Sequence, residues 1–201
     1  LKVAIADNIS PFVDEGFSMN TNLLTAIDVW TLAFLFGFQI YFDFSAYSHI
    51  AIGSAQLMGI KLPENFNFPY IASSFKDFWK RWHISLSSWF RDYLYIPLGG
   101  SKGGTWMKVR NTFIIFLVSG FWHGANWTFI IWGLLNALYI MPSIIFNTNR
   151  TNLDIVACGK YFPSFREFFQ IIITFTLTVF AWIFFRSNTV GLAFNYISTI
   201  F

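Results

Sequence analysis

The sequence predicts an all-α protein, a polytopic bundle of transmembrane helices accompanied by re-entrant or interfacial amphipathic helices. Of its 201 residues, 55% are hydrophobic and only 11% are charged, whereas a soluble domain usually carries about a quarter charged residues. Several apolar runs approach the ~20 residues that a membrane-spanning helix needs. A further segment combines a basic face with an aromatic face, which suits a helix at a membrane interface and equally one that packs into a cytoplasmic vestibule of the full protein.

The first third of the chain contains one long apolar run between two polar segments. Residues 1–22 are polar and mixed, and we expect a loop or an interfacial segment there. Residues 23–57 are largely apolar and predict either one long helix or two short ones, because polar side chains interrupt the second half. Residues 61–70, KLPENFNFPY, contain two prolines and two asparagines and indicate a loop.

Residues 75–93 predict one continuous amphipathic helix. Aromatic and aliphatic side chains recur there in steps of three and four, and Ser74 followed by Asp77 matches the start of a capping box. Residues 97–100, PLGG, would end this helix, and residues 101–106 would form a glycine-rich turn. The polar face of the predicted helix carries a single column of side chains, namely Lys76, Lys80, His83, Ser87 and Arg91.

The second half of the chain predicts one half-helix and two full spans. Residues 112–122 are apolar but short, which suggests a half-helix that leads to His123. Residues 128–146 and 168–185 are long enough to cross a bilayer. Residues 147–163 are polar and indicate a loop. No basic and then apolar leader opens the chain at its first residue, so we expect it to be part of a longer polytopic protein.

Positive charge is concentrated in one segment. The chain has 13 Lys and Arg residues, and eight of them lie within 61–110: Lys61, Lys76, Lys80, Arg81, Arg91, Lys102, Lys108 and Arg110. Basic residues collect on the cytoplasmic side of membrane proteins, which indicates that this segment lies near the cytoplasmic face. The basic residues alternate with Trp and Phe in a hydrophobic protein, so nucleic acid is not an expected partner.

His123 is the strongest candidate for chemistry, because it interrupts a strongly apolar run. An ionisable side chain at membrane depth is costly unless it faces a cavity or has a partner. We therefore interpret His123 as a proton-transfer group, with a structural histidine as the alternative. Gly120 and Gly124 could let a substrate approach, but small residues at this spacing also serve helix packing. Asn126, three residues on, could share the same helical face.

Five polar residues outside the His123 segment are weaker candidates. His83 could be solvated or functional. Lys80 and Arg91 could bind an anion, such as a nucleotide phosphate or a polysaccharide carboxylate, or could anchor the helix to lipid headgroups. Asp43 and His49 are six residues apart and so do not share a helical face. Each is expected to stabilise the bundle, and Asp43 is kept as a supporting candidate.

Several other chemistries are not indicated. Three well-separated histidines and a single cysteine, Cys158, predict no metal site and no disulfide framework. Residues 101–105 are similar in composition to a phosphate-binding loop but lack its residue order. No bound cofactor is expected.

Four segments together resemble the membrane-bound O-acyltransferase family, and most of all its alginate O-acetyltransferase branch. They are YFDFSAYSHIAIG (41–53), KLPENFNFPY (61–70), FKDFWKRWHISLSSWFRDYLYIPLGG (75–100) and SGFWHGANWTFIIWG (119–133). They occur in the family's order and spacing over about residues 41–139. The resemblance implies that residues 1–201 are part of a single domain of this family, whose N-terminal helices are expected to precede them.

The resemblance also implies roles for individual residues. His123 corresponds to the family's essential histidine and His83 to its second functional histidine, while Trp122 lies beside the first. The fold implied is a ring of transmembrane helices around a thinned centre, in the bacterial inner membrane. A funnel would bring an acyl thioester, such as acetyl-CoA, from the cytoplasm to the buried histidine. The implied partners are this donor, the lipid bilayer, and a polysaccharide or a periplasmic acetyl-acceptor protein.

The function predicted from the sequence is O-acetylation of an exported polysaccharide such as alginate. In this hypothesis His123 takes a proton from the acceptor hydroxyl, which is work suited to an imidazole with a pKa near ~6.5. His83 would orient the donor or relay a proton. Two alternatives stay open, namely transfer of D-alanine to teichoic acid by a related branch and a non-catalytic transporter or scaffold subunit.

Overall fold

The computed structural model describes residues 1–146 and 161–201. Every regular element in these two ranges is helical, so the predicted all-α fold is confirmed. The longer helices are α1 (Asp7–Gly16), α2 (Ala26–Leu57), α3 (Phe75–Arg81), α4 (Ile84–Phe90), α5 (Gly104–His123), α6 (Trp127–Ile145), α7 (Phe165–Arg186) and α8 (Val190–Ile200). Short π-helical turns cover Lys2–Ala6 and Arg91–Tyr95, and short 3-10 turns cover Thr21–Leu23 and Pro69–Ile71.

Three of these helices are long and apolar enough to cross a membrane. They are α2, α6 and α7, with mean hydropathies of 1.3, 1.7 and 2.1. The spans predicted at 128–146 and 168–185 are therefore found, each within a few residues of its expected bounds. The loop predicted at 147–163 lies mostly outside the described residues, as does Cys158.

Residues 23–57 form one long helix rather than two short ones. Thr25 and Asp28 begin α2 with a capping box, in which the Thr25 backbone N–H donates to the Asp28 carboxylate at 2.8 Å and the Asp28 N–H donates to Thr25 Oγ1 at 3.3 Å. At ~1.5 Å per residue the 32 residues of α2 extend for about 48 Å. That length exceeds the ~30 Å hydrocarbon core of a bilayer.

Residues 1–22 are largely helical. Of the two alternatives expected there, the loop is therefore wrong, and the interfacial segment stays a prediction. Ala6, Val13 and Phe17 are buried, while the polar residues of α1 lie on its exposed side. A stripe of so few apolar residues is too short to stand out in a sequence as a helical period. Burial of this stripe explains why the segment is helical.

The structure divides into two compact units, and the first contains residues 1–64, 126–129 and 179–201. Its core joins aromatic rings from four elements: Phe17 lies 5.0 Å from Tyr196, and Phe36 lies 6.4 Å from Trp182, between ring centroids. The Arg186 guanidinium lies over the rings of Phe17 and Phe36.

The second unit contains residues 65–125 and 130–178, and it holds both histidines of the predicted site. Its core is a buried cluster of Phe75, Phe116, Ala137 and Ile140. Further aromatic side chains, including Trp79 and Tyr139, pack against this cluster. The cluster fixes α3, α5 and α6 against one another.

The single helix predicted over 75–93 is wrong, because the chain breaks between α3 and α4. His83 stands at the break in the left-handed region, with φ 45° and ψ 56°. The Ile84 N–H donates to the Asn65 carbonyl at 3.0 Å instead of continuing the helical pattern. The 61–70 loop thus forms hydrogen bonds with backbone groups that would bond to each other in a continuous helix.

The half-helix predicted over 112–122 is also wrong in length, since α5 has 20 residues. Its first turns are polar and so do not look like part of a span. Asn111 stabilises them: it is fully buried, and its side-chain amide donates to the carbonyls of Leu98 and Gly100 at 3.3 and 3.0 Å. These bonds fasten residues 98–100 to α5.

Candidate active site

A cavity of about 460 Å³ lies within the second compact unit, and both His83 and His123 line it. Its walls come from α3, α4, α5, α6 and the π-helical turn after α4. Apolar and aromatic side chains form much of the lining, with a small number of polar groups among them. Such a mixture is typical of a pocket that binds a small organic ligand.

One face of α5 lines this cavity along most of the length of the helix. Its lining residues follow steps of three and four along the sequence: Lys108, Thr112, Ile115, Phe116, Ser119 and His123. At ~1.5 Å per residue, Lys108 and His123 are about 22 Å apart along the helix axis. One end of the cavity, the cationic end, therefore carries the Lys108 ammonium group, and the other end carries the His123 imidazole.

Three cationic side chains line the cavity in addition to the two histidines. Lys76 comes from α3, Lys108 from α5 and Arg91 from the turn after α4. Burial, followed by the positive charges of Lys80 and Lys108, lowers the pKa of Lys76. Lys76 and Lys108 both line the cavity, where they can stabilise an anion jointly.

His83 is mostly surrounded by protein. Its ring centroid lies 6.5 Å from that of Trp122, and the neighbouring Trp82 is buried. Burial lowers the pKa of His83 to about 4. At neutral pH the side chain is therefore an uncharged imidazole that can accept a proton or a hydrogen bond.

His123 ends α5 between two tryptophans. Its ring centroid lies 5.0 Å from Trp122 and 5.2 Å from Trp132, in both cases edge to face. Trp132 is buried and contacts Trp79 in the cavity wall, at 5.8 Å between centroids. The aromatic rings restrict the orientation of the imidazole.

Close contact between α5 and α6 accounts for Gly133. A Cβ atom on Gly133 would overlap with the carbonyl oxygen of Phe116 and would lie 3.6 Å from the Gly120 Cα. The two helix backbones can approach this closely because position 133 is a glycine. Gly120 lies at this contact, and both roles considered for it, helix packing and access for a substrate, stay predictions.

The other predicted site residues have separate environments. Lys80 is exposed and is not among the residues that line the cavity. In the first compact unit, Asn126 donates to the Asn188 carbonyl at 2.9 Å and accepts a bond from the Thr128 N–H. Asp43, also in that unit, is exposed and pairs with Lys2. Catalytic or binding roles for these three residues stay predictions.

Several lining residues were missed from the sequence. Lys108, Thr112 and Ser119 lie on the His123 face of α5, and counting back from His123 in steps of three and four would have found them. Within residues 1–146 and 161–201, no cluster of three or more His, Cys, Asp and Glu side chains could hold a metal ion.

Comparison with known proteins decides the family. The sequence profile of the membrane-bound O-acyltransferase family matches residues 2–185. The chain belongs to the membrane-bound O-acyltransferase family. The match includes every segment that carried the resemblance, and it covers both histidines of the cavity.

Individual relatives in this family carry three different names. The Helicobacter pylori peptidoglycan O-acetyltransferase is 43% identical over 187 residues, which are 93% of this chain and 34% of that protein. A Pseudomonas aeruginosa protein named "Probable alginate O-acetylase" is 40% identical over 200 residues, 100% of this chain and 36% of the relative. The Bacillus subtilis teichoic acid D-alanyltransferase is 38% identical over 139 residues, 61% of this chain and 35% of that protein. The chain thus spans about a third of the length of these relatives.

Proposed function

We propose that this protein is an O-acyltransferase that moves an acetyl group from a thioester donor to a hydroxyl group destined for a cell-envelope polysaccharide. The observation that carries the proposal is the placement of His83 and His123 on one cavity whose far end is cationic. An imidazole pair supplies the proton chemistry, and the cationic end can bind the phosphates that acyl thioester carriers bear.

The proposed reaction assigns the base role to His123. Its imidazole takes the proton of the acceptor hydroxyl while the hydroxyl oxygen forms a bond to the thioester carbonyl carbon. The carbon–sulfur bond then breaks, and the thiolate leaves with the proton that the imidazole returns. His83, uncharged at neutral pH because of its burial, orients the donor or relays that proton. The apolar walls exclude water and so favour transfer over hydrolysis.

The proposed orientation follows the charge distribution. The basic segment 61–110 contains the three lining cations, Lys76, Arg91 and Lys108. Basic segments favour the cytoplasmic side, so the donor would enter there, in a bacterial inner membrane. The acceptor would then be a polysaccharide hydroxyl or a hydroxyl of a partner protein on the outer side.

A second candidate is transfer of D-alanine to teichoic acid. The similarity to the B. subtilis D-alanyltransferase favours it. The acetyl proposal is preferred because the relatives named as O-acetyltransferase or O-acetylase match 93–100% of this chain. Both candidates use the same proton chemistry and differ in the acyl group.

The proposal can be tested with the full-length protein in inside-out membrane vesicles. The donors would be radiolabelled acetyl-CoA and, separately, D-alanine as a thioester on a carrier protein. We expect label from acetyl-CoA in an alkali-labile ester that vesicles without the protein do not form. Label from D-alanine alone would establish the second candidate, and label from neither donor would contradict an acyltransferase acting on these thioesters.

The cationic end predicts a specific change in donor affinity. Replacing Lys76 and Lys108 together with alanine should raise the KM for acetyl-CoA about tenfold or more, because two phosphate contacts are lost. kcat should change little, since the lysines lie far from His123. The matched control is Lys80→Ala, which removes an exposed lysine that does not line the cavity. An unchanged KM in the double variant would rule out this end as the donor phosphate site.

A further inference from the structure

Asn65 lies beside the break that sets the conformation of His83. The Ser85 N–H and the Ser85 hydroxyl both donate to Asn65 Oδ1, at 3.1 and 2.6 Å. The Ile84 N–H donates to the Asn65 backbone carbonyl at 3.0 Å. One residue of the 61–70 loop therefore satisfies the first two N–H groups after His83.

The same loop also holds the other side of the break. The Asn67 N–H donates to the Arg81 carbonyl at 3.0 Å, and the Arg81 guanidinium donates back to the Asn67 carbonyl at 3.3 Å. Between them, Phe66 packs edge to face on Trp82 with 5.0 Å between centroids. Residues 65–67 thus clamp the chain immediately before and after His83.

His83 needs such a clamp, because its backbone lies in the left-handed region, which residues other than glycine rarely adopt. The competing conformation is the continuous helix that the sequence pattern of 75–93 favours. In that helix the Ser85 N–H would donate to the Arg81 carbonyl. In the structure this carbonyl instead accepts a bond from the Asn67 N–H. Removing Asn65 Oδ1 frees the Ser85 N–H for this alternative.

We propose that Asn65 is a positioning residue, which maintains the break between α3 and α4 and thereby holds His83 on the wall of the reaction cavity. This inference rests on the proposed acyltransferase function. Asn65 contacts no substrate in this account and acts only through His83. Its side-chain oxygen is the essential part, because that atom accepts both bonds from Ser85.

The test compares three variants of the full-length protein in the vesicle assay with acetyl-CoA, at matched membrane abundance. Asn65→Ala should lower kcat roughly 10- to 100-fold, the effect typical of a displaced catalytic group, with the donor KM unchanged. Asn65→Asp keeps an acceptor for both Ser85 bonds and should stay within about threefold of the wild type. Asn67→Ala is the control, because Asn67 holds Arg81 through its backbone alone and is exposed.

A double variant separates positioning from general stability. In a His83→Ala background, Asn65→Ala should cause no further loss of rate, because the residue through which it acts is gone. If His83→Ala leaves no measurable rate, the comparison of Asn65→Ala with Asn65→Asp decides. Wild-type rate in Asn65→Ala, equal losses in Asn65→Ala and Asn65→Asp, or an added loss in the His83→Ala background would each overturn the positioning role. Absence of transfer by the wild type would instead reject the acyltransferase function itself.

Discussion

Replacing His123 with alanine is expected to lower the rate of acyl transfer by ~10²–10⁴-fold, the usual contribution of a positioned general base. The donor KM should change by less than about threefold, since the cationic end of the cavity is about 22 Å away along α5. Initial rates in vesicles that contain the full-length protein would give both constants. A loss confined to kcat identifies an interaction made in the transition state.

The third histidine of the chain provides the matched control. His49 lies on α2, in the other compact unit, and is exposed. His49→Ala should retain at least about half of the wild-type rate. Equal losses in the two variants would mean that removing any histidine harms the protein, and His123 would lose its special role.

Replacing Asp77 with alanine is expected to destabilise the fold by ~3–5 kcal/mol, because it leaves a buried charge without its partner. Asp77 and Arg81 are both buried, and the Arg81 Nε donates to the carboxylate at 2.9 Å. The Arg81 guanidinium also donates to the Asn67 carbonyl, so the clamp around His83 would loosen as well. Thermal unfolding in detergent, followed by the fraction of protein that stays monodisperse, would measure the loss.

An exposed ion pair of similar geometry gives the control for this prediction. Asp92 accepts a bond from Arg91 Nε at 2.7 Å, but both side chains are largely exposed. Asp92→Ala should leave the thermal unfolding temperature almost unchanged, because an exposed ion pair contributes little to stability. Replacing Asp77 and Arg81 together with leucine and methionine should recover much of the stability, because no charge is then buried alone. Equal effects of Asp77→Ala and Asp92→Ala would contradict this account of the buried pair.

The features predicted correctly from the sequence depend on local composition. The spans α6 and α7 are continuous apolar runs, and a hydrophobic segment of that length has few alternatives to a membrane helix. His123 was singled out because an ionisable group in such a run is costly, and the family resemblance singled out His83 as a second functional histidine. Both line one cavity, while their roles stay predictions.

The features missed depend on contacts between distant parts of the chain. The break at His83 exists because Asn65 and Asn67 take hydrogen bonds that a helix would otherwise make. The periodicity of 75–93 contains no sign of that competition. The polar start of α5 was missed for a related reason, since its stability depends on Asn111 bonding to the carbonyls of an earlier turn.

The cavity itself could be anticipated only in part. The sequence supplied its two histidines and Arg91, but the polar column on which Lys80 was placed assumed an unbroken helix. Four members of that column line the cavity, namely Lys76, His83, Ser87 and Arg91, while Lys80 does not. Lys108 lines it from α5 and was not among the predicted site residues. A site assembled from five elements cannot be read from the pattern of any one of them.

The most direct test is the amount of ester-linked acetate on cell-envelope polysaccharide in the parent organism. Cells would express the full-length wild type, His123→Ala or His49→Ala at matched membrane abundance, and acetate released by mild alkali would be quantified. We expect acetate to fall to the level of a deletion strain with His123→Ala and to stay near the wild-type level with His49→Ala. Wild-type acetate in cells with His123→Ala would show that the imidazole is structural or that the protein is not the transferase.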